Sequence, residues 1–166
     1  VEQLYSKLTE TNADIVYCDL FNPEKEEFYL KSREFDLAAF LNASFIDNCS
    51  LIRRSIIGNA RYDEMLNRKK LEDYDFLLNL IINNGAKAVY QPSTKLNYRV
   101  FETGSISGRD SVRYHYEIYL DILEKYLDKL PHEIYKAVCE NLMVLEERLD
   151  SLLKHHDEVT DYVNRL

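Results

Sequence analysis

An α/β fold is predicted for residues 1–109, followed by a helical region over 110–166, and three features of the sequence predict it. Ala13-Asp14-Ile15-Val16-Tyr17-Cys18 is a run of β-branched and aromatic residues that reads as a buried strand. Leu71 to Asn84 places Leu71, Tyr74, Leu77, Leu78, Ile81 and Ile82 on one apolar stripe and stops at Gly85, the residue a left-handed helix end favours. Val138, Leu142, Leu145, Leu149, Leu152, His156, Val159, Val163 and Leu166 alternate spacings of four and three, which is a helical packing seam.

The remaining elements fall between these. Leu4 and Leu8 lie four apart, so Glu2 to Thr11 is a helix that Asn12 ends. A polar turn around Pro23 separates the first strand from Phe28 to Leu30, an edge strand. Glu34 to Leu41 is a short amphipathic helix, and Asn48 to Ile52 a short extended run into Arg53-Arg54-Ser55. Gly58 to Lys70 is polar and loop-like. Lys87 to Tyr90 and Thr94 to Val100 read as two further strands, and Phe101 to Gly108 as a loop with Gly104, Gly108 and three hydroxyl residues. Beyond Asp110, Tyr116, Tyr119, Leu123, Tyr126 and Leu130 share a helical face, and Pro131 breaks that helix or opens the next. The partner of the C-terminal seam is either the preceding helix, giving a helical hairpin, or a second copy of the chain, giving a coiled-coil-like homodimer. His156 is the polar member of the seam, a hydrogen-bonded or exposed residue unless it carries a metal or pH role.

The net charge of −8, with dense basic clusters only at Arg53-Arg54 and Arg68-Lys69-Lys70, lacks the electrostatic footprint of a nucleic-acid binder. Apolar runs are far shorter than the ~20 residues that cross a bilayer. Cys18, Cys49 and Cys139 are odd in number and share no C-x-x-C spacing, which fits a reducing, cytoplasmic compartment. In that compartment the sequons at Asn42 and Asn48 are accidental. No Walker or dinucleotide loop, zinc spacing or nucleophile pattern occurs. The chain begins at Val1, inside a predicted helix, and is expected to be part of a longer protein.

The chemistry concentrates at Glu72-Asp73-Tyr74-Asp75, where three carboxylates crowd the first turn of an amphipathic helix. Acidic residues there offset the helix macrodipole, which is sufficient reason for their presence. The alternative is a general base, kept ionised by the helix N-terminus and able to accept a proton from an attacking hydroxyl.

The surrounding order of motifs narrows this choice. Arg53-Arg54, then Arg61-Tyr62-Asp63-Glu64, the Glu72-Asp73-Tyr74-Asp75 helix, its end at Gly85, the strand closing Tyr90-Gln91-Pro92, Asn97-Tyr98-Arg99-Val100 and the loop Thr103-Gly104-Ser105-Ile106-Ser107 follow one another. This series resembles the acceptor-side half of family 2 glycosyltransferases of the GT-A type, over roughly Ala13 to Gly108. The resemblance implies a partial GT-A-like mixed sheet with flanking helices. It implies transfer of a sugar from a nucleotide-sugar donor to a saccharide or lipid-linked acceptor hydroxyl, with inversion, as in polysaccharide biosynthesis. Asp73 matches the family's catalytic base and Glu72 the glutamate that orients base or acceptor. Asp75 matches a second aspartate that positions substrate or caps the helix. Arg99 matches an arginine beside the active site, able to fork onto a carboxylate or diphosphate or to form a surface ion pair. Arg54, from the paired basic positions, and Ser105, from the Ser-rich loop, are further substrate contacts. Tyr62, Tyr74 and Tyr98 are either amphipathic core-edge residues or platforms for a sugar ring.

Two departures bear on cofactors. Phe101 and Glu102 stand where the family often has a metal-binding histidine, leaving Glu102 as the candidate replacement ligand. The family's nucleotide-binding βαβ region and its Asp-x-Asp metal site have no counterpart in these residues. A divalent metal, Mg or Mn, is thus expected of the longer enzyme, held by residues outside this chain, and the chain alone is expected to be inactive. A location in the cytoplasm, peripheral at the inner membrane face, fits a lipid-linked acceptor. The rival expectation is a non-catalytic assembly or binding module that dimerises through the C-terminal heptad.

Overall fold

The computed structural model describes residues 1–67, 69–99 and 112–163, the side chains of 112–114, 148–149, 152–153 and 155–163 excepted. Its elements run α1 (Glu2–Glu10), β1 (Ile15–Asn22), β2 (Glu27–Leu30), α2 (Leu37–Asn42), β3 (Leu51–Ile52), α3 (Arg54–Ile57), α4 (Glu72–Leu78), β4 (Ala88–Asn97), α5 (Val112–Glu124) and α6 (His132–Val163). The predicted α/β class is therefore observed, with a mixed four-stranded sheet.

β1 is the central strand, and its almost uninterrupted burial explains its apolar composition. Along one side β3 pairs antiparallel with Ile15 and Val16, and β2 antiparallel with Leu20 to Asn22. Along the other side lies β4, parallel, from Ile15 opposite Ala88 to Phe21 opposite Asn97. Leu4 and Leu8 of α1 pack on Ala13, Val16 and Cys18, with Leu51, Val89 and Leu96 around them. Tyr17 contacts the rings of Phe45 and Tyr90, and Phe40 links Phe45 to Tyr74 of α4.

Two expected strands are one. The run 88–97 continues through Pro92, because β4 absorbs extra residues in a bulge: Tyr17 faces Tyr90, yet Asp19 faces Lys95. Proline lacks an N–H to give the ladder, so it is tolerated at such an interruption. The helix expected over 71–84 is also divided. The α-helical turns of α4 end at Leu78 and a π-helical turn, Asn79–Asn83, completes the element before Gly85 closes it at φ 70°.

The chain forms two compact units, Val1–Leu130 and Pro131–Leu166. The division falls later than the compositional change at Asp110, because α5 belongs to the first unit: Tyr119 donates to the Leu41 carbonyl, and Ile122, Leu123 and Tyr126 are buried. Pro131 opens α6, its carbonyl accepting the N–H of Tyr135. The second unit is dominated by α6, a 32-residue helix. The seam residues from Leu149 onward lie outside the described side chains, so the hairpin or coiled-coil partner of α6 is an open expectation.

Candidate functional site

Leu71 delivers the chain into α4 from the left-handed region, φ 68° and ψ 17°, a conformation that bulky side chains rarely adopt. Strain of this kind is held only where surrounding contacts over-determine it, and it clusters at functional sites. A π-helical turn at the other end of the same element is a second irregularity with the same association. The residues between them are those the sequence nominates.

Asp73 is half-buried, and its Oδ1 accepts the N–H of Tyr74 at 2.8 Å. Burial pushes its carboxyl up from the usual carboxylate range. The Tyr74 N–H works against that shift, and the charges of Glu72 and Asp47 reinforce it. This corrects the expectation that the helix N-terminus dominates: desolvation and two neighbouring carboxylates win. Glu72 is likewise half-buried. Asp47, which sequence reasoning passed over, arrives from the loop after α2, where its own Oδ1 accepts the Cys49 N–H at 2.8 Å. Beside it, burial together with Asp47 raises the Cys49 thiol to about 11, so it is a protonated thiol rather than a nucleophile at neutral pH.

Tyr98 closes the group from the end of β4. Burial raises its phenol, and the charges of Tyr29, Asp47, Cys49 and Asp73 add to the rise. The Tyr98 ring stacks on Tyr29 of β2, centroids 4.6 Å apart and planes 19° apart. Tyr29 is 47% exposed, so this pair presents an aromatic face to solvent. The pairing of Tyr29 with Tyr98 was hidden in the sequence by 68 intervening residues, although β2 was legible as an edge strand.

The other nominated residues divide. Asp75 is 4% exposed: its carboxylate pairs with Lys125 at 3.2 Å and accepts from the Tyr126 hydroxyl at 3.0 Å. The same Lys125 ammonium pairs with Asp63, so one cation ties the Tyr62-Asp63-Glu64 turn to α4. The expected substrate role for Asp75 therefore gives way to an internal one, since both its partners are protein groups. Tyr74 is also a core residue, its hydroxyl donating to the Leu41 carbonyl at 3.0 Å. Tyr62 is partly exposed and stacks on Phe76 at 4.5 Å. Arg53 packs inward, its Nη2 donating to the Ala13 carbonyl at 2.9 Å, whereas Arg54 is exposed on α3. Arg99 is exposed, and Ser105 and Glu102 lie outside the described residues.

No protein-family model and no curated protein sequence matches this chain. Among the described residues, no group of three or more His, Cys, Asp or Glu side chains is arranged to hold a metal ion. The described residues therefore supply no ligand set for the divalent metal that the resemblance implies. Among the described residues, no helix is long and apolar enough to cross a membrane.

Proposed function

We propose that this chain is the acceptor-side part of an inverting, nucleotide-sugar-dependent glycosyltransferase, with Asp73 as the general base. The single observation that carries the reading is the state of Asp73: half-buried, desolvated and raised in pKa at a strained helix start, with its charge felt at the Tyr98 phenol. A carboxylate with an elevated pKa is the better proton acceptor at neutral pH. The acceptor hydroxyl gives its proton to Asp73 as its oxygen bonds to the anomeric carbon. The bond from that carbon to the nucleoside diphosphate breaks on the opposite face, and its electron pair leaves with the diphosphate. Glu72 and Asp47 keep the Asp73 proton affinity high by their charge, and Tyr98 with Tyr29 offers a face on which a sugar ring stacks. Arg99, Arg54 and Ser105 are the expected contacts to charged or hydroxyl groups of the substrates. In the longer enzyme a Mg or Mn ion would neutralise the diphosphate leaving group. The acceptor is a saccharide or lipid-linked hydroxyl, met in the cytoplasm or at the inner membrane face.

The test joins this chain to its upstream coding sequence and assays sugar transfer with Asp73 intact and as Asp73→Asn. Loss of transfer in a folded Asp73→Asn protein supports the reading, and near-normal turnover removes it.

The separate α6 unit favours a second reading, a non-catalytic module that assembles as a homodimer through its heptad. Sedimentation equilibrium decides it: a concentration-dependent dimer, with no transfer in any longer chain, would replace the first proposal.

A further inference from the structure

The bulge that merges two expected strands also opens a cavity of about 360 Å3, and Asp73 does not line it. Asp19, Lys31, Lys95, Ser93, Thr94 and Phe28 do. Asp19 is 2% exposed, so a charged group reaches this cavity from inside the sheet. It is fully engaged: Lys31 pairs with Oδ2, while Oδ1 accepts the Ser32 N–H at 2.9 Å and the Tyr90 hydroxyl at 2.7 Å. Burial alone would raise this carboxyl, and Lys31, Tyr90 and Ser32 together hold it below the usual range. Asp19 is therefore a fixed anion that anchors Lys31 at the cavity.

Lys95 stands opposite Asp19 in the β1–β4 ladder and brings a second positive charge. Its ammonium rests over the Phe21 ring at 3.3 Å and lies 5.7 Å from Phe28, while Lys31 lies 4.2 Å from the same Phe28 ring. Two ammonium groups thus surround one aromatic ring, against a single carboxylate. The local charge is positive in a chain whose net charge is −8. Ammonium groups parked on aromatic faces hold them by about 0.5–1 kcal/mol at exposed sites, so a stronger anion draws them off. Ser93 and Thr94 add hydroxyl groups at the bulge, and the partly exposed Phe28 ring adds an apolar wall. A cavity of this size exceeds what a bare oxyanion fills, falling in the roughly 300–1,000 Å3 range of small-molecule sites.

We infer that the cavity at the β4 bulge binds a phosphomonoester, its phosphate between Lys31 and Lys95 and its apolar body against Phe28. A tetrahedral anion accepts from several donors at once, and Lys31, Lys95, Ser93 and Thr94 all line this cavity, the Ser93 hydroxyl turning from Gln91 Oε1, to which it donates at 3.2 Å. The inference does not depend on Asp73 or on glycosyl transfer.

The experiment uses the 166-residue chain with phenyl phosphate and inorganic phosphate as probes, followed by amide chemical shifts and calorimetry. Saturable shifts at Ser93, Thr94, Lys95 and Lys31 are expected, with phenyl phosphate binding tighter than inorganic phosphate. Lys95 is exposed and is not a member of the Lys31–Asp19 pair, so Lys95→Gln should leave the fold intact and weaken binding about tenfold, or ~1.4 kcal/mol. Raising the salt concentration should weaken it further. Failure of either probe to saturate, equal affinity for both probes, or unchanged affinity in Lys95→Gln would each overturn the proposal.

Discussion

Asp73 and Asp75 stand two residues apart on one helix and live in opposite electrostatic worlds. Asp75 points inward to Lys125 and the Tyr126 hydroxyl, a buried carboxylate with a countercharge and a hydrogen-bond donor. Asp73 has a neighbouring N–H, two nearby carboxylates and no comparable cation among the described partners. The difference shows that Asp75 is saturated by protein partners while Asp73 keeps unspent proton affinity, the property on which the proposed function rests.

The sharpest way to break this contrast is activity. On the proposed function, Asp73→Asn in a longer chain should lower transfer by about 100- to 10,000-fold, the usual worth of a placed base, with the acceptor KM little changed. Asp75→Asn should lower activity only as far as it lowers the folded fraction. If initial rates corrected for folded protein fell equally in both variants, the division of labour drawn here would be wrong.

Stability should order the two residues the other way. Asp75→Ala removes the buried carboxylate that bonds Lys125 and the Tyr126 hydroxyl, while Lys125 keeps Asp63 and the hydroxyl keeps the residue-75 carbonyl, a loss of about 1.5–3 kcal/mol read by urea unfolding. Lys125→Met should cost more, about 3 kcal/mol, because it leaves the Asp75 carboxylate buried without its countercharge, whereas the other partner, Asp63, can turn to water. A midpoint for Asp75→Ala within error of the wild type would show that the pair is ornamental.

The titration behaviour sharpens the contrast further. The carboxyl of Asp73 is raised on folding, so its contribution to stability is fully present below the unfolded value of about 3.9 and is lost as pH rises through its folded pKa. Asp19 and Asp63 are lowered, so theirs is present above that unfolded value and is lost as pH falls through their folded pKa values. Asp73→Asn should therefore melt higher than the wild type at pH 7, and the gap should close towards pH 3. A gap that is constant with pH would mean that Asp73 is not desolvated in the folded protein.

Much of this was legible in the sequence, and the gaps have physical causes. The strand after Asn12, the edge strand after Pro23, the α4 stripe and its glycine end all rest on local periodicity, and each formed, the first strand running on to Asn22 and the helix finishing in a π-helical turn. What failed was non-local. Pro92 signals a strand break, but a parallel neighbour on one side allows a bulge instead. The role of Asp75 depends on Lys125, 50 residues away, and the setting of Asp73 on Asp47 and Tyr98. No spacing rule encodes such meetings. The direction of the Asp73 shift was misread because a helix terminus is visible in sequence and burial is not.

The smallest expected effect concerns how α4 is ended. Gly85 sits at φ 70°, and a Cβ added there meets no atom within 4 Å. The cost of Gly85→Ala is thus backbone strain without a clash, about 1 kcal/mol. Because Asn79–Asn83 already departs from α geometry, that strain has a soft element to relax into, and relaxation would travel along the π-helical turn towards α4. Amide exchange should consequently quicken over residues 79–85 while protection at Tyr74 to Leu77 is kept. Quickening that reached Tyr74 would join the two ends of the helix into one cooperative unit, and the independence of the Asp73 edge from the rest of α4 would be lost.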